Sequence, residues 1–381
     1  MIYFDNSATT MPYDEVLDSF MKVSKDYFGN PSSLHGIGAM AEKLLTQARQ
    51  QVAQLLEVNE NEIYFTSGGT EGNNLAIKGA AFAHQNRGKH IIISSIEHAS
   101  VKQTCEQLAE MGFEITILPV NKDGRVEVSS VEEAIKEETI LVSVMHVNNE
   151  TGAIQPIEEI GSLLKNHSKI LFHVDFVQGV GKVDLNIKKC GIDLCTISAH
   201  KFHGLKGNGI LFIREGVKMF PLFTGGSQER KLRSGTENVA GAVSTAKALR
   251  MIFEKKKHDL KNLLEVSRFL KEELRKIPGV VVNTPEENCA PHIVNFSVPG
   301  VKSEVLVHAL EEKGIYVSTT SACSSKKKSI SSTVFAMTGR EDLAESTIRM
   351  SLSYQNTLEE AQTVIKELIA ALKRLKEVMK S

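Results

Sequence analysis

From about Asp14 to about Lys255 the chain alternates between short apolar runs and longer stretches with helical spacing. Seven runs read as strands: EIYFTS (Glu62–Ser67), KHIIISS (Lys89–Ser95), FEITILPV (Phe113–Val120), TILVSVMHV (Thr139–Val147), ILFHVD (Ile170–Asp175), DLCTIS (Asp193–Ser198) and GILFI (Gly209–Ile213). Several are continuously apolar, the pattern of a parallel sheet buried on both faces. Helical segments such as GTEGNNLAIKGAAFAH and VKQTCEQLAEMG separate many of them, which predicts an α/β layer architecture.

After Lys255 the texture changes. A charged helix (Lys255 to Lys276), the strands HIVNFSV and IYVST, a helix from Ser303 to Lys313 and a long final helix predict a smaller α+β domain. The final helix carries Leu358, Val364, Leu368, Leu372 and Leu375 on one apolar face, as docking on that domain requires. The expected division is a large domain over 13–256 and a small one over 257–381, which residues 1–12 join.

Composition narrows the class. A chain of 381 residues with 41% hydrophobic and 24% charged positions has enough apolar surface for one large core and a second domain. The formal net charge of −1 supplies no basic field, so a direct nucleic-acid partner is not expected. The start, MIYFDNSATT, has no basic segment followed by an apolar one, and no run has membrane-spanning length. Five cysteines without CxxC spacing argue against a disulfide framework or an intrinsic metal site, and the cytoplasm is the expected compartment.

Ligands of open α/β sheets collect at the carboxyl ends of the strands. FTSGGTEGNN follows a strand and opens a helix, so its amides and hydroxyls suit a phosphate; it lacks the GK[ST] ending of a nucleoside-triphosphate loop. HGIGAMA matches GxGxxA but follows the loop FGNPSSL instead of a strand, which removes its mechanical basis. His98 in IEHAS, Asn149 in HVNNE, and Asp175 with Gln178 in HVDFVQ stand at strand ends. A lone histidine there is ordinarily structural, whereas a half-buried carboxylate wants a cation or a strong donor. In CTISAHKFHG, Lys201 stands at the mouth of a buried strand. A single such lysine is ordinarily paired with a carboxylate. Beside a phosphate loop and an Asp suited to a pyridinium nitrogen, it implies pyridoxal phosphate attached through the lysine amine.

Ten blocks (DNSATT, FGNPSS, FTSGGTE, EHAS, MHVNNETG, HVDFVQ, SAHKFHG, RSGTEN, SACSS and RMSLS) occur in an order that resembles the fold-type I, class V pyridoxal phosphate enzymes. The closest resemblance is to the NifS/IscS-type cysteine desulfurases, over essentially the whole chain. It implies the fold of pyridoxal phosphate-dependent transferases: a large domain with a mostly parallel seven-stranded sheet, plus a smaller α+β domain. By matching motif, Lys201 would hold the cofactor and later move the Cα proton. Asp175 would pair with the pyridine nitrogen, Gln178 would bond the phenolic oxygen, and His98 would stack on the ring and assist proton transfers. Gly69, Thr70, Ser198 and His200 would hold the phosphate, and Thr236 would reach the phosphate of the neighbouring subunit in a homodimer. Asn149 and Arg349 would orient the substrate, Arg349 by clamping its carboxylate.

The cofactor alone allows transamination, elimination or lyase chemistry. Cys105, Cys190, Cys195 and Cys289 lie in or beside regular elements and read as structural. Cys323 sits in the polar, small-residue stretch STTSACSSKKKSISS, which reads as mobile, and where Lys326, Lys327 and Lys328 favour its thiolate. The resemblance implies that Cys323 carries a persulfide, and the serine-rich stretch after SAC resembles the group I desulfurases. The implied reaction takes L-cysteine to L-alanine. Sulfur would then pass to acceptor proteins for iron–sulfur cluster, thiolated tRNA or thiamine synthesis, and Cys323 would at most transiently share a cluster with a scaffold. Leu205 and Asn208 depart from the family's usual proline and aliphatic residue. The chain also ends soon after its last helix, without the extended tail some group I members use on iron–sulfur scaffolds, so the acceptor stays open. A class V aminotransferase or selenocysteine lyase would share the cofactor motifs without needing Cys323. A silent scaffold binding partners through the basic stretch would not need Lys201, Asp175 and His98.

Overall fold

The computed structural model describes residues 1–319 and 330–378. Seven strands form one sheet in the order Ile63–Thr66, Gly209–Ile213, Leu194–Ser198, Leu171–Asp175, Thr139–Ser143, His90–Ser94, Glu114–Leu118. Gly209–Ile213 runs antiparallel to both its neighbours, and the other pairings are parallel. The five inner strands are buried at every position, which is why their sequences read as unbroken apolar runs. Each of the seven apolar runs contains one of these strands; Gly209–Ile213 matches its run, and the other six are trimmed at one or both ends. The helix Gly69–His84 packs tightly on this sheet: a Cβ at Gly72 would lie 2.6 Å from Thr196 Cγ2.

A second, antiparallel sheet runs Ser318–Thr319, Thr347–Ser351, Ile293–Ser297, Val281–Val282. The amino-terminal arm ties into this half, with Ile2–Tyr3 parallel to Ile315–Tyr316 and Asp5 bridged to Ser351. One continuous core cluster includes Phe172 and Phe212 from the large sheet and Phe296 and Met350 from the small one. The helix Val239–Lys276 spans 38 residues and packs on both halves, so position 256 lies inside one unbroken helix. It begins well before the charged stretch that marks it in the sequence. Its first turns bury Gly241, Ala242, Ser244, Ala246 and Ala248, small residues whose burial leaves no large-apolar stripe to read.

The segment HGIGAMA opens the helix Gly36–Leu55, with His35 Nδ1 accepting from Gly38 N at 3.3 Å, and the element directly before it is the helix Asp14–Asp26, not a strand. Three consecutive residues, Glu229, Arg230 and Lys231, hold left-handed backbone (φ 43°, 54° and 66°), which β-carbon crowding disfavours. Burial of the Glu229 carboxylate holds them there. It receives Arg49 Nη2 at 2.7 Å, Arg49 Nη1 at 2.9 Å and Phe65 N at 3.0 Å. The turn delivers Arg233 and Thr236 to the surface beside the large sheet. Among the described residues no helix is long and apolar enough to cross a membrane.

Candidate active site

At the carboxyl edge of the parallel strands lies a cavity of about 460 Å³. It gathers Gly69, Thr70, His98, Asn149, Asp175, Gln178, Ser198, His200, Lys201 and Arg349 from segments spread over most of the chain. Two expected residues stand apart. Thr236 is exposed and lines a separate cavity of about 220 Å³ with Ser67, Asn208 and Arg233. Cys323 lies outside the described residues. A cavity of about 490 Å³ at the opposite side of the sheet, by Glu62 and Arg214, holds none of these groups. In it Arg214 is engaged by Ile192 O and Asp193, and Glu62 by the amides of Asn59 and Glu215.

The floor is built around Asp175, buried where its strand ends. Its Oδ2 accepts from Asn73 Nδ2 at 2.8 Å and its Oδ1 from Val177 N at 3.0 Å. Asn73 also donates to Ser100 Oγ at 2.9 Å, which leaves that hydroxyl to donate to His98 Nδ1 at 2.8 Å. His98 Nδ1 accepts from Ser100 N as well, at 3.1 Å, so this network assigns the ring proton to Nε2. Burial lowers the His98 pKa; Asp175 opposes the shift, and Lys201 and Lys102 add to it.

Lys201 follows the strand Leu194–Ser198 in a single turn, and its Nζ donates to the carbonyl oxygens of Ser7 and, at 2.7 Å, Ala8. Gln178 Nε2 donates to the same Ser7 carbonyl at 3.0 Å. Behind Lys201, the fully buried Lys182 donates from Nζ to the Lys201 carbonyl at 2.8 Å; burial and the Lys201 charge lower its pKa to about 7.

The helix Gly69–His84 starts at one end of the cavity, after Gly68 at φ +147°, a conformation that glycine tolerates and a side chain resists. Its first amides, the hydroxyls of Thr70 and Ser198, His200 and Lys206 enclose an adjoining recess. His200 is held neutral, its pKa pushed down to about 4 by burial and then by Lys201, Lys206 and His98. Its Nδ1 lies 3.2 Å from Thr9 Oγ1.

The opposite wall carries Arg349, on the small-sheet strand Thr347–Ser351. Its Nη2 pairs with Asp5 Oδ1 at 3.0 Å and its Nη1 donates to Asn149 O at 2.9 Å, while the buried Nε has no partner among the described residues. A buried guanidinium with donors to spare suits a carboxylate. Glu97, fully buried, accepts from Ser94 Oγ at 2.5 Å and from Met145 N at 2.9 Å; burial raises its pKa to about 8.

Three of the other cysteines, Cys105, Cys190 and Cys195, are buried and poor nucleophiles. Burial pushes the Cys105 thiol up to about 12, raises Cys190, and drives Cys195 well above the ordinary range. Cys289 is half-buried, with Lys271 Nζ 3.5 Å from its sulfur. Of the two departures from the family pattern, Leu205 packs half-buried on the core. Asn208 is buried and accepts from Asn238 Nδ2 at 3.1 Å, tying its turn to the start of the long helix.

Several site residues escaped the sequence reading: Asp5, Ser7, Asn73, Glu97, Ser100, Lys102 and Glu150. Asn73 had a signal, since it follows Gly69 by four residues and returns to the same helix face. Asp5 and Ser7 stand inside DNSATT, but nothing local says that this arm reaches the cavity.

The donor set fits pyridoxal phosphate on the geometry alone. A lysine amine and a buried carboxylate share one cavity, and the recess beside them offers hydroxyls, His200, Lys206 and helix-start amides to a phosphate. Comparison with known proteins agrees. The class-V aminotransferase family matches residues 2–364. A NifS/IcsS protein homolog of Lactobacillus delbrueckii subsp. bulgaricus is 47% identical over 367 residues, covering 96% of this chain and 95% of its own. Cysteine desulfurase IscS of Dictyoglomus turgidum is 41% identical over 378 residues, covering 99% and 96%. The solved structure of a NifS-like protein superposes with a TM-score of 0.92 at 38% identity, covering 98% of this chain and 99% of that one. The chain therefore belongs to the class-V aminotransferase family of pyridoxal phosphate enzymes, in its NifS/IscS-type cysteine desulfurase branch.

Proposed function

We propose that this chain converts L-cysteine to L-alanine and carries the released sulfur as a persulfide on Cys323. The observation that carries the reading is the meeting of Lys201, Asp175, His98 and Arg349 around one cavity. Pyridoxal phosphate, when bound, supplies an electron sink for the charge left when the substrate Cα loses its proton. Asp175, its carboxylate fixed by Asn73 and Val177 N, would pair with the pyridine nitrogen and favour its protonated form. Gln178 serves the phenolic oxygen. Gly69, Thr70, Ser198 and His200 hold the phosphate, the neutral His200 as a donor.

Arg349 and Asn149 orient the substrate carboxylate, and the Lys201 amine removes the Cα proton. His98, neutral with its proton on Nε2, exchanges protons with the reacting atoms. The Cys323 thiolate then attacks the substrate sulfur. The new S–S bond forms as the C–S bond breaks, and the electron pair returns to the carbon, which is protonated and leaves as alanine.

We also assign residues 13–256 to a cofactor-binding domain, and 1–12 with 257–381 to a small domain. Thr236, exposed and outside the Lys201 cavity of its own chain, serves the phosphate site of the second subunit of a homodimer. The enzyme works in the cytoplasm and passes sulfur to acceptor proteins of iron–sulfur cluster, tRNA thiolation or thiamine synthesis.

Turnover of L-cysteine by the wild type, Lys201→Ala and Cys323→Ser tests the reading. Lys201→Ala should lose the visible absorbance of the covalently held cofactor together with alanine formation. Cys323→Ser should keep that absorbance, bind L-cysteine and form alanine at least about 100-fold more slowly, because a hydroxyl stays protonated. Alanine formation by Cys323→Ser at the wild-type rate would replace the persulfide reading with lyase or aminotransferase chemistry.

A further inference from the structure

One helical turn beyond His98, a second lysine faces the cavity that holds Lys201. Lys102 lies on the helix Ala99–Glu110, and its backbone N–H donates to the His98 carbonyl at 3.1 Å, so the two side chains leave the same helix face. Both line the cavity. Lys102 Nζ donates to Ser332 Oγ at 3.4 Å, and Ser332, which also lines the cavity, opens the helix Ser332–Thr338 of the other half of the molecule.

The ammonium is under-compensated there. Glu150, Glu97 and Glu106 act on it in that order, yet none of them pairs with it among the described residues. Glu97 is engaged with Ser94 and Met145, and Glu150 with Ser331 at 2.5 Å; burial raises the pKa of both, that of Glu97 to about 8. Burial of Lys102 itself disfavours its charge. A half-buried cation in that position gains from a hydrogen-bond acceptor brought by a ligand.

An amino acid presents three groups to such a cavity. Its carboxylate suits Arg349 and its amine belongs beside Lys201, so its side chain is the group left for the wall that Lys102 and Ser332 form. We propose that Lys102 is a specificity-determining residue that recognises the substrate side-chain sulfur by donating a hydrogen bond to it, and so selects cysteine over amino acids of the same shape whose side chain offers no acceptor. This rests on the cysteine-substrate reading above and deepens it.

The test uses the holoenzyme, comparing the wild type with Lys102→Met, Lys102→Gln and Lys102→Arg. Two quantities are measured: the KM for L-cysteine, and the Kd for L-2-aminobutyrate, which replaces the thiol by a methyl group, from titration of the cofactor absorbance. Lys102→Met should raise the L-cysteine KM about tenfold, the loss of one hydrogen bond to a charged group. It should leave the L-2-aminobutyrate Kd within about twofold. Lys102→Arg should restore most of the discrimination, and Lys102→Gln, one atom shorter and uncharged but still polar, gives the same comparison if the Met variant folds poorly. Parallel weakening of both ligands would reveal a brace between the two helices and overturn the proposal, as would an unchanged KM. Failure of the wild type to form alanine from cysteine would instead overturn the substrate reading itself.

Discussion

The floor of the cavity and its Arg349 wall are assembled in opposite ways. Asp175 is gripped by Asn73 and by the amide of Val177, all on or next to the large sheet, and each is delivered by the segment that ends or follows a buried strand or starts its helix. Arg349 is gripped by Asp5 and by the carbonyl of Asn149, which lie 344 and 200 residues away in the chain. The floor is therefore set by local strand-to-helix geometry. The wall exists only when the amino-terminal arm, the small sheet and the loop after Thr139–Ser143 have all docked.

The largest effect that separates the two regions should come from Asp175→Ala. It removes the charge partner of the pyridine nitrogen, with an expected fall of about 100-fold or more in kcat and weaker cofactor retention on dialysis, at an unchanged far-ultraviolet circular dichroism spectrum. An unchanged rate would make Asp175 a structural residue and erase the distinction. Next comes Asp5→Asn, which loosens the wall and leaves the floor alone. The L-cysteine KM should rise about tenfold while cofactor absorbance and affinity stay as in the wild type. Loss of cofactor in that variant would mean that wall and floor form one cooperative unit.

The smallest effect concerns pH. Because the folded Glu97 carboxyl has its pKa raised to about 8, the native chain keeps a proton that the unfolded chain releases above its ordinary pKa of 4.5. The stability this contributes is complete below pH 4.5 and is lost as pH rises toward 8. Glu97→Gln keeps the shape without the titration. Relative to the wild type it should gain thermal stability from pH 5 to pH 8; a constant difference in Tm across that range would show that Glu97 is ionised in the fold.

The same contrast explains what could be read from the sequence. HVDFVQ, SAHKFHG and FTSGGTE are legible because each is a strand end plus its turn, where a few consecutive residues determine both structure and chemistry. Asp5, Glu97 and Glu150 were not legible as site residues, since their positions depend on partners placed by long-range packing. Lys102 carried a weak local signal, four residues from His98, that any solvated lysine would share. The strands followed the apolar runs closely. The long helix did not, because the buried small residues between Val239 and Ala248 resemble a linker as much as a helix face.

The amino-terminal arm gives this assembly an unusual point of weakness. Asp5 braces the arginine, and the carbonyls of Ser7 and Ala8 receive the Lys201 amine, so three of the first eight residues complete the site from outside the large sheet. An aminopeptidase that trimmed the chain through Ala8 would spare every strand of the large sheet and still disarm the enzyme. For the same reason an affinity tag belongs at the carboxyl end, far from the part of the chain where a handful of residues carries so much of the chemistry.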